Sequence, residues 1–377
     1  MFCFCIKRIG FLLVLVALFG FQVRAVSGQK VVHPTQENIL SNEEVDHVVS
    51  RMRDQEVGEE LRAVAERFRN ATEVTTIGVR NGKKNEIIGK VSDAEKENGK
   101  IYILDERNSE VKIYNTDGSF KKSIGRPGKG PREMSSPSSM EVKKNGKIVV
   151  ANTGTVSIID ENSKEKANKL GVGFTITDMC LLNEKIYATG FSSSSNNRVT
   201  ILELNGDAKN IGGFGERYKT DSEFVEMQLS DGYVSCNKKE NMFVSGIVHL
   251  PTVEVFSDNN KEKLKYKVND FTPIKAVKKG KGVTLKYDKK RHFVWDAFDI
   301  NGDLFILQVS HSTQKSIEKN NIHSKTYTYI LSYEDGKSLY VGSSLPPIYD
   351  VKSDRIITGN NYPYPKVSVF KIPKTGE

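Results

Sequence analysis

Three features of the 377-residue sequence predict an all-β protein, a ring of six similar sheets. A turn followed by an apolar strand recurs six times: GKIYILD from Gly99, GKIVVAN from Gly146, EKIYATG from Glu184, ENMFVSG from Glu240, GDLFILQ from Gly302 and DRIITGN from Asp354. The start points are 47, 38, 56, 62 and 52 residues apart, which brackets the period of a four-stranded propeller blade with loops of variable length. Each phrase runs on into another strand and a hairpin signal, as at Asn115 to Gly118 in the first unit and Asn205 and Gly206 in the third. The sixth unit has room for three strands before Glu377, whereas VTTIGV, Val74 to Val79, precedes the first unit and has no sheet of its own. If that strand completes the last sheet, the ring closes and no strand edge is left exposed. The expected architecture is therefore a six-bladed β-propeller over residues 73–377.

Ahead of the ring the texture differs. Lys7 and Arg8 precede a continuous apolar run from Ile9 to Phe21, with Ala25 and Ser27 in an A-x-S arrangement after it. The run falls short of the ~20 residues a spanning helix needs, so a cleaved secretory signal over 1–27 is the simplest reading and an uncleaved anchor the alternative. Cys3 and Cys5 lie before the apolar run, which argues against lipid anchoring after it. Residues 28–72 form a second segment. From Ser41 to Asn70 the apolar positions Val45, Val48, Val49, Met52, Leu61, Val64, Ala65 and Phe68 recur at three and four, and Ser41 with Glu44 makes a capping box. An amphipathic helix broken near Gly58 is expected, packing on the following domain rather than mediating association.

Charge narrows the partners. The whole chain carries a net +9; loss of residues 1–27 removes Lys7, Arg8 and Arg24 and no acid, leaving 53 basic and 47 acidic side chains. The lysines are interleaved with acids or sit in turn-like runs such as KAVKKGKG, Lys275 to Gly282. That is a solvated surface, not the concentrated basic stripe of a nucleic-acid binder. The expected location is outside the cytoplasm, periplasmic or extracellular, with no stable transmembrane segment after processing and no nucleic acid as partner.

The stretch GRPGKGPREMSSP, Gly125 to Pro137, has the glycine content of a phosphate loop but not its context. Such a loop leads from a strand into a helix with Lys then Ser or Thr after the last glycine, and here Pro131 and Arg132 follow Gly130 ahead of another strand. Read on through GKIVVAN, the stretch resembles NHL-type repeats, whose pattern is roughly G-x-x-G-x-G-P-G-E-F-x-x-P and then two strands. Gly125, Gly128, Gly130, Pro131, Glu133 and Pro137 match, while Arg132 stands where glycine is usual and Met134 where phenylalanine is usual. Only the second unit has the full phrase, so the chain as a whole resembles exported bacterial six-bladed propellers related to NHL and TolB-like repeats. As a linker, the stretch leaves Arg126, Lys129 and Arg132 as candidate ligand contacts.

A second repeat points inward. Val91-Ser92-Asp93-Ala94, Ile176-Thr177-Asp178-Met179, Val294-Trp295-Asp296-Ala297 and Ile348-Tyr349-Asp350-Val351 share one form, with Phe224-Val225-Glu226-Met227 as a looser fifth. On inner strands Asp93, Asp178, Glu226, Asp296 and Asp350 would converge on the channel, where a calcium or other divalent cation could sit among carboxylate oxygens. The weightier reading is structural: an Asp at a strand end accepts main-chain N–H bonds from the next blade, and one such bond is wanted per blade. No cofactor is expected otherwise.

Cys180 and Cys236 each lie six residues before the first apolar residue of their repeated strand, matched by Val142 and Phe298 elsewhere. Diverging inner strands are expected to hold them too far apart for the ~4.4–6.8 Å between Cα atoms that a bridge requires, so no disulfide is expected. The six histidines are isolated in sequence, and HExxH and G-x-S-x-G are absent. NYPYP, Asn361 to Pro365, reads as a Pro-stiffened turn. The function expected is a non-catalytic binding or scaffold protein for a protein, peptide or glycan. The alternative, implied by resemblance to propeller lactonases and lyases, is a metal-dependent hydrolase or lyase with a carboxylate-lined channel.

Overall fold

The computed structural model describes residues 31–32, 58–163, 167–191, 196–204, 208–220, 222–229, 231–268, 271–272, 274–279, 282–286, 290–300, 302–313, 325–352 and 354–374. The segment read as a signal and the first half of the expected helix lie outside them.

Six four-stranded antiparallel sheets form the ring. Their inner strands are Val91–Glu97, Ser139–Val142, Thr175–Leu182, Gly232–Asn237, Lys290–Asp299 and Ile348–Lys352, blades one to six in order, and each touches the next around to the first. The repeated phrases form the second strands, and their unbroken apolar runs have a physical reason. In blade one, Ile101 and Ile103 join a cluster with Ile357, Val367 and Val369 of blade six, whereas Tyr102 and Leu104 join Ile148 and Val150 of blade two. Val149 and Ala151 pack onward against Ile176 and Ile186 of blade three. Successive side chains point to opposite faces, and both faces are covered, so apolar residues fill consecutive positions at the start of each second strand. Burying each such residue contributes roughly 1.5–3 kcal/mol.

The ring closes as expected. Thr72–Ile77 is the outer strand of blade six, pairing antiparallel with Lys366–Lys371 so that Ile77 stands opposite Val367 and Thr72 opposite Lys371. The helix that precedes it, α1 (Glu59–Arg69), starts after an extended Gly58. Leu61, Ala65 and Phe68, at i, i+4 and i+7, are buried against Leu304, Ile330, Val341 and Ile372. Arg69 donates from Nε to Val341 O and from Nη2 to Tyr340 O, both 2.9 Å, and Arg67 Nε donates to Pro373 O at 2.8 Å. So α1 packs on the outer part of blades five and six and bonds their backbone.

Two insertions leave the repeat. A second helix, α2 (Glu223–Leu229), precedes the inner strand of blade four, with Val225 and Leu229 buried against Tyr218, Ile247 and Ile274. The hairpin Lys275–Lys279 and Gly282–Lys286 stands between blades four and five, and Val31–Val32 pairs with its first strand.

The Gly125 to Pro137 stretch is a knot of local bonds between blades one and two. Met134 N donates to Arg126 O at 2.8 Å and Gly128 N to Met134 O at 3.0 Å. Glu133 accepts from Gly130 N at 2.7 Å and pairs with Arg126 at 3.0 Å. Gly128 has φ +145°, and a side chain there would meet the Glu133 carboxylate. Arg132 has φ +60°, which is why this position usually carries glycine. Met134, in the place of the usual phenylalanine, is buried in the cluster shared by the two blades.

Candidate functional site

Each inner strand puts two side-chain levels on the channel wall. The deeper level is Asp93, Ser139, Asp178, Val234, Asp296 and Asp350, paired respectively with Leu104, Ala151, Thr189, Ser245, Gln308 and Ile357 of the second strands. Two residues on, toward the turn into the second strand, come Glu95, Glu141, Cys180, Cys236, Phe298 and Lys352.

The deeper level is a set of ties. In the four blades that carry Asp, the pairing register shifts at the residue before it, between Val91 and Asp93, Ile176 and Asp178, Val294 and Asp296, and Ile348 and Asp350. The strands with Ser139 and Val234 pair without a shift. The repeated Asp is thus the residue that follows a β-bulge, where the ladder is interrupted and main-chain N–H groups need other acceptors. Asp93 Oδ1 accepts from Ala94 N at 2.9 Å and its Oδ2 from Met140 N of blade two at 2.8 Å. Asp178 Oδ2 accepts from Val234 N of blade four at 2.8 Å, and Asp350 Oδ2 from Lys96 N of blade one at 2.9 Å. Asp296 Oδ1 accepts from Ala297 N at 2.8 Å, while Gln308 Oε1 takes Ile348 N at 2.7 Å to join blades five and six.

Glu226 is not part of this wall. It lies on α2, where Val225 and Leu229 follow helical spacing, and its carboxylate accepts from Thr220 N at 2.7 Å. The expectation of an inner strand at Phe224 to Met227 is corrected. The spacing from Cys236 to Met242 already marked Gly232–Asn237 as the inner strand, and it outranks a four-residue likeness.

The outer level opens into a cavity of about 460 Å³ at one mouth of the channel. Seven carboxyl groups and three ammonium groups line it, on a chain whose net charge is +9. Glu95 is 9 % exposed and accepts from Val142 N at 3.0 Å through Oε2. Burial, and then the charges of Glu141 and Asp350, push its carboxyl well above the usual range. Burial likewise lifts Glu141 to about 7, against the opposing pull of Lys238 and Lys352. Lys238 Nζ lies 3.8 Å from the Glu141 carboxylate and Lys352 Nζ 3.5 Å from Asp350, which holds the Lys352 ammonium above its ordinary pKa. Asp299 at the rim is raised by burial to about 6.

Cys180 and Cys236 form a disulfide in this wall, with Cα atoms 5.7 Å apart. This corrects the expectation that they stay apart. The inner strands of blades three and four stand side by side where the ring is narrowest, so equivalent positions come within bridging distance.

The remaining candidates are elsewhere. Arg126 pairs with Glu133, Arg132 Nη1 donates to Ser163 O at 2.6 Å, and Lys129 O accepts from Lys169 Nζ at 3.2 Å. None of the three lines the cavity. In the NYPYP turn, Asn361 bonds both the N and the O of Val91 at 2.9 Å, a tie from blade six to blade one. Among the described residues no three His, Cys, Asp or Glu side chains are placed to hold one metal ion, and no helix is long and apolar enough to cross a membrane. Sequence reasoning missed Glu95, Glu141 and Lys352. Their one signal is position, two residues after the deeper level in their units.

Comparison with known proteins agrees with the ring. A putative exported protein from Bacteroides fragilis superposes with a TM-score of 0.50 at 11% identity, over 80% of this chain and 95% of that one. A DUF4221 family member from Bacteroides vulgatus gives 0.50 at 11% identity, over 81% and 98%. Virginiamycin B lyase from Staphylococcus aureus gives 0.43 at 9% identity, over 79% and 99%. Comparison with curated proteins finds no match. Residues 81–198, blade one through the start of the third strand of blade three, match the model of the family DUF5128, described as 6-bladed beta-propeller, and the described chain completes all six blades.

Proposed function

We propose that this chain is an exported, non-catalytic propeller that binds a protein, peptide or glycan partner at the channel mouth lined by Glu95, Glu141, Phe298 and Lys352. The observation that carries the reading is the contrast between the two levels of the wall. Main-chain ties recur from blade to blade, so a structural level uses one residue type repeatedly. A level that recognises a ligand needs different groups in different places, and the mouth presents two carboxyls, an ammonium, an aromatic ring and a disulfide around one cavity.

Export is supported by the signal-like residues 1–27, and mass spectrometry of the secreted or periplasmic protein should find an N-terminus close to residue 28. Binding is tested by covalent capture from that fraction, with the wild-type chain and a charge-swapped mouth, Glu141→Lys with Lys238→Glu. A partner captured by the wild type and lost with the swap is the expected result. A partner indifferent to the swap overturns the mouth as the binding site. Lactone turnover that rises with added calcium and disappears in Asp296→Asn would replace binding with the metal-dependent reading.

A further inference from the structure

The net charge of the chain is positive, yet the cavity at the channel mouth is lined by more than twice as many carboxyl groups as ammonium groups. Most of the deeper acids are engaged by main-chain N–H groups, so the free acceptor capacity lies at the mouth. Glu95, nine-tenths buried, uses Oε2 on Val142 N, and among the described residues Oε1 has no hydrogen-bond donor. Among the described residues the Glu141 carboxylate accepts no hydrogen bond, and its ion-pair partner is Lys238 at 3.8 Å. Lys238 and Lys352 flank these two carboxyls, and the same cavity has an apolar part formed by the Cys180–Cys236 disulfide and Phe298.

We infer that the mouth takes the side chain of a basic residue from a peptide or protein partner, with its ammonium between Glu95 and Glu141 and its alkyl stem along the disulfide and Phe298. The inference rests on the channel mouth being the binding site. Three physical points favour this ligand. A buried carboxylate with an empty acceptor is stabilised by a charge-assisted donor, and a lysine stem covers apolar surface while its head group meets charge. A compact divalent cation suits the place less well. It wants six or more oxygen ligands, and among the described residues no three His, Cys, Asp or Glu side chains are placed to hold one ion.

Protonation of the two carboxyls competes with such a ligand. Asp93, Asp350, Lys238 and Lys352 face the two carboxyls, and with burial the balance favours their neutral forms. An arriving ammonium must displace those protons, so binding should strengthen as pH rises through 7.

The test is titration of the full chain with three acetylated, amidated tripeptides, Gly-Lys-Gly, Gly-norleucine-Gly and Gly-Glu-Gly, at pH 8 and pH 5.5. The lysine peptide should bind at least about tenfold tighter than the norleucine peptide, with the glutamate peptide weakest. Glu95→Gln and Glu141→Gln should each weaken the lysine peptide by about tenfold, as should pH 5.5. Glu141→Gln removes no hydrogen bond from the fold, so its result stands even if Glu95→Gln perturbs Val142. Equal binding of the three peptides, or binding unchanged in Glu141→Gln, overturns the basic-residue inference. So does no binding by any peptide. If the charge-swapped mouth still loses its captured partner, the binding reading survives that failure; if the partner is indifferent to the swap, the binding reading fails as well.

Discussion

The two levels of the channel wall are two residues apart on the same strands and obey opposite rules. The deeper level repeats Asp in four of six blades, each after a bulge, and each carboxylate accepts main-chain N–H bonds from its own strand or from the next blade. The mouth level has four residue types at six positions, holds two carboxyls against burial, and leaves acceptors unused. Repetition around a symmetric ring marks what the fold requires. Departure from it, at a real energetic cost, marks what the fold alone does not explain.

The largest break in this contrast should come from the covalent tie at the mouth. Replacing Cys180 and Cys236 together by Ser frees a loop closed over 56 residues of sequence, worth about 4 kcal/mol by loop entropy. Denaturant unfolding should show a loss of that order. Retention of full stability would mean that packing of blades three and four suffices without the bridge.

Next in size is the deeper level. Asp93→Ala removes the acceptor for Ala94 N and Met140 N, and stranding buried N–H groups costs about 1–3 kcal/mol each at most. A loss of about 2–3 kcal/mol is expected, with Asp93→Asn milder because its side-chain oxygen still accepts. The measurement is again chemical denaturation, and no loss in Asp93→Ala would remove the structural account of the repeat.

At the mouth the sign reverses. Glu141 is lifted from its ordinary 4.5 to about 7, so the folded chain holds a proton that the unfolded chain releases. Its cost is absent below pH 4.5, grows as pH rises and is complete above about 7. Glu141→Gln should therefore stabilise the fold by about 1–2 kcal/mol at pH 8, after discounting for partial exposure, and by nothing near pH 4. Destabilisation at pH 8 would turn the mouth into another structural layer. Smallest of all is Arg126→Ala, whose side chain is largely exposed; a change within about 0.5 kcal/mol is expected, and unaltered capture of the partner would keep the linker outside the site.

The sequence by itself determined the ring. Six repeats of one strand phrase, and an orphan strand before the first, are local patterns of alternation and turn chemistry, and such patterns survive wherever a strand is buried on both faces. The Asp repeat was legible for the same reason, since each copy answers a local bulge. Position in the ring was the tertiary structure's decision. It brought Cys180 to Cys236, gathered Glu95, Glu141 and Lys352 from blades one, two and six, and made Phe224 to Met227 part of a helix with Ile247 and Ile274 to cover it. Those outcomes depend on the curvature that brings distant inner strands together at the axis, and no spacing along one strand encodes it.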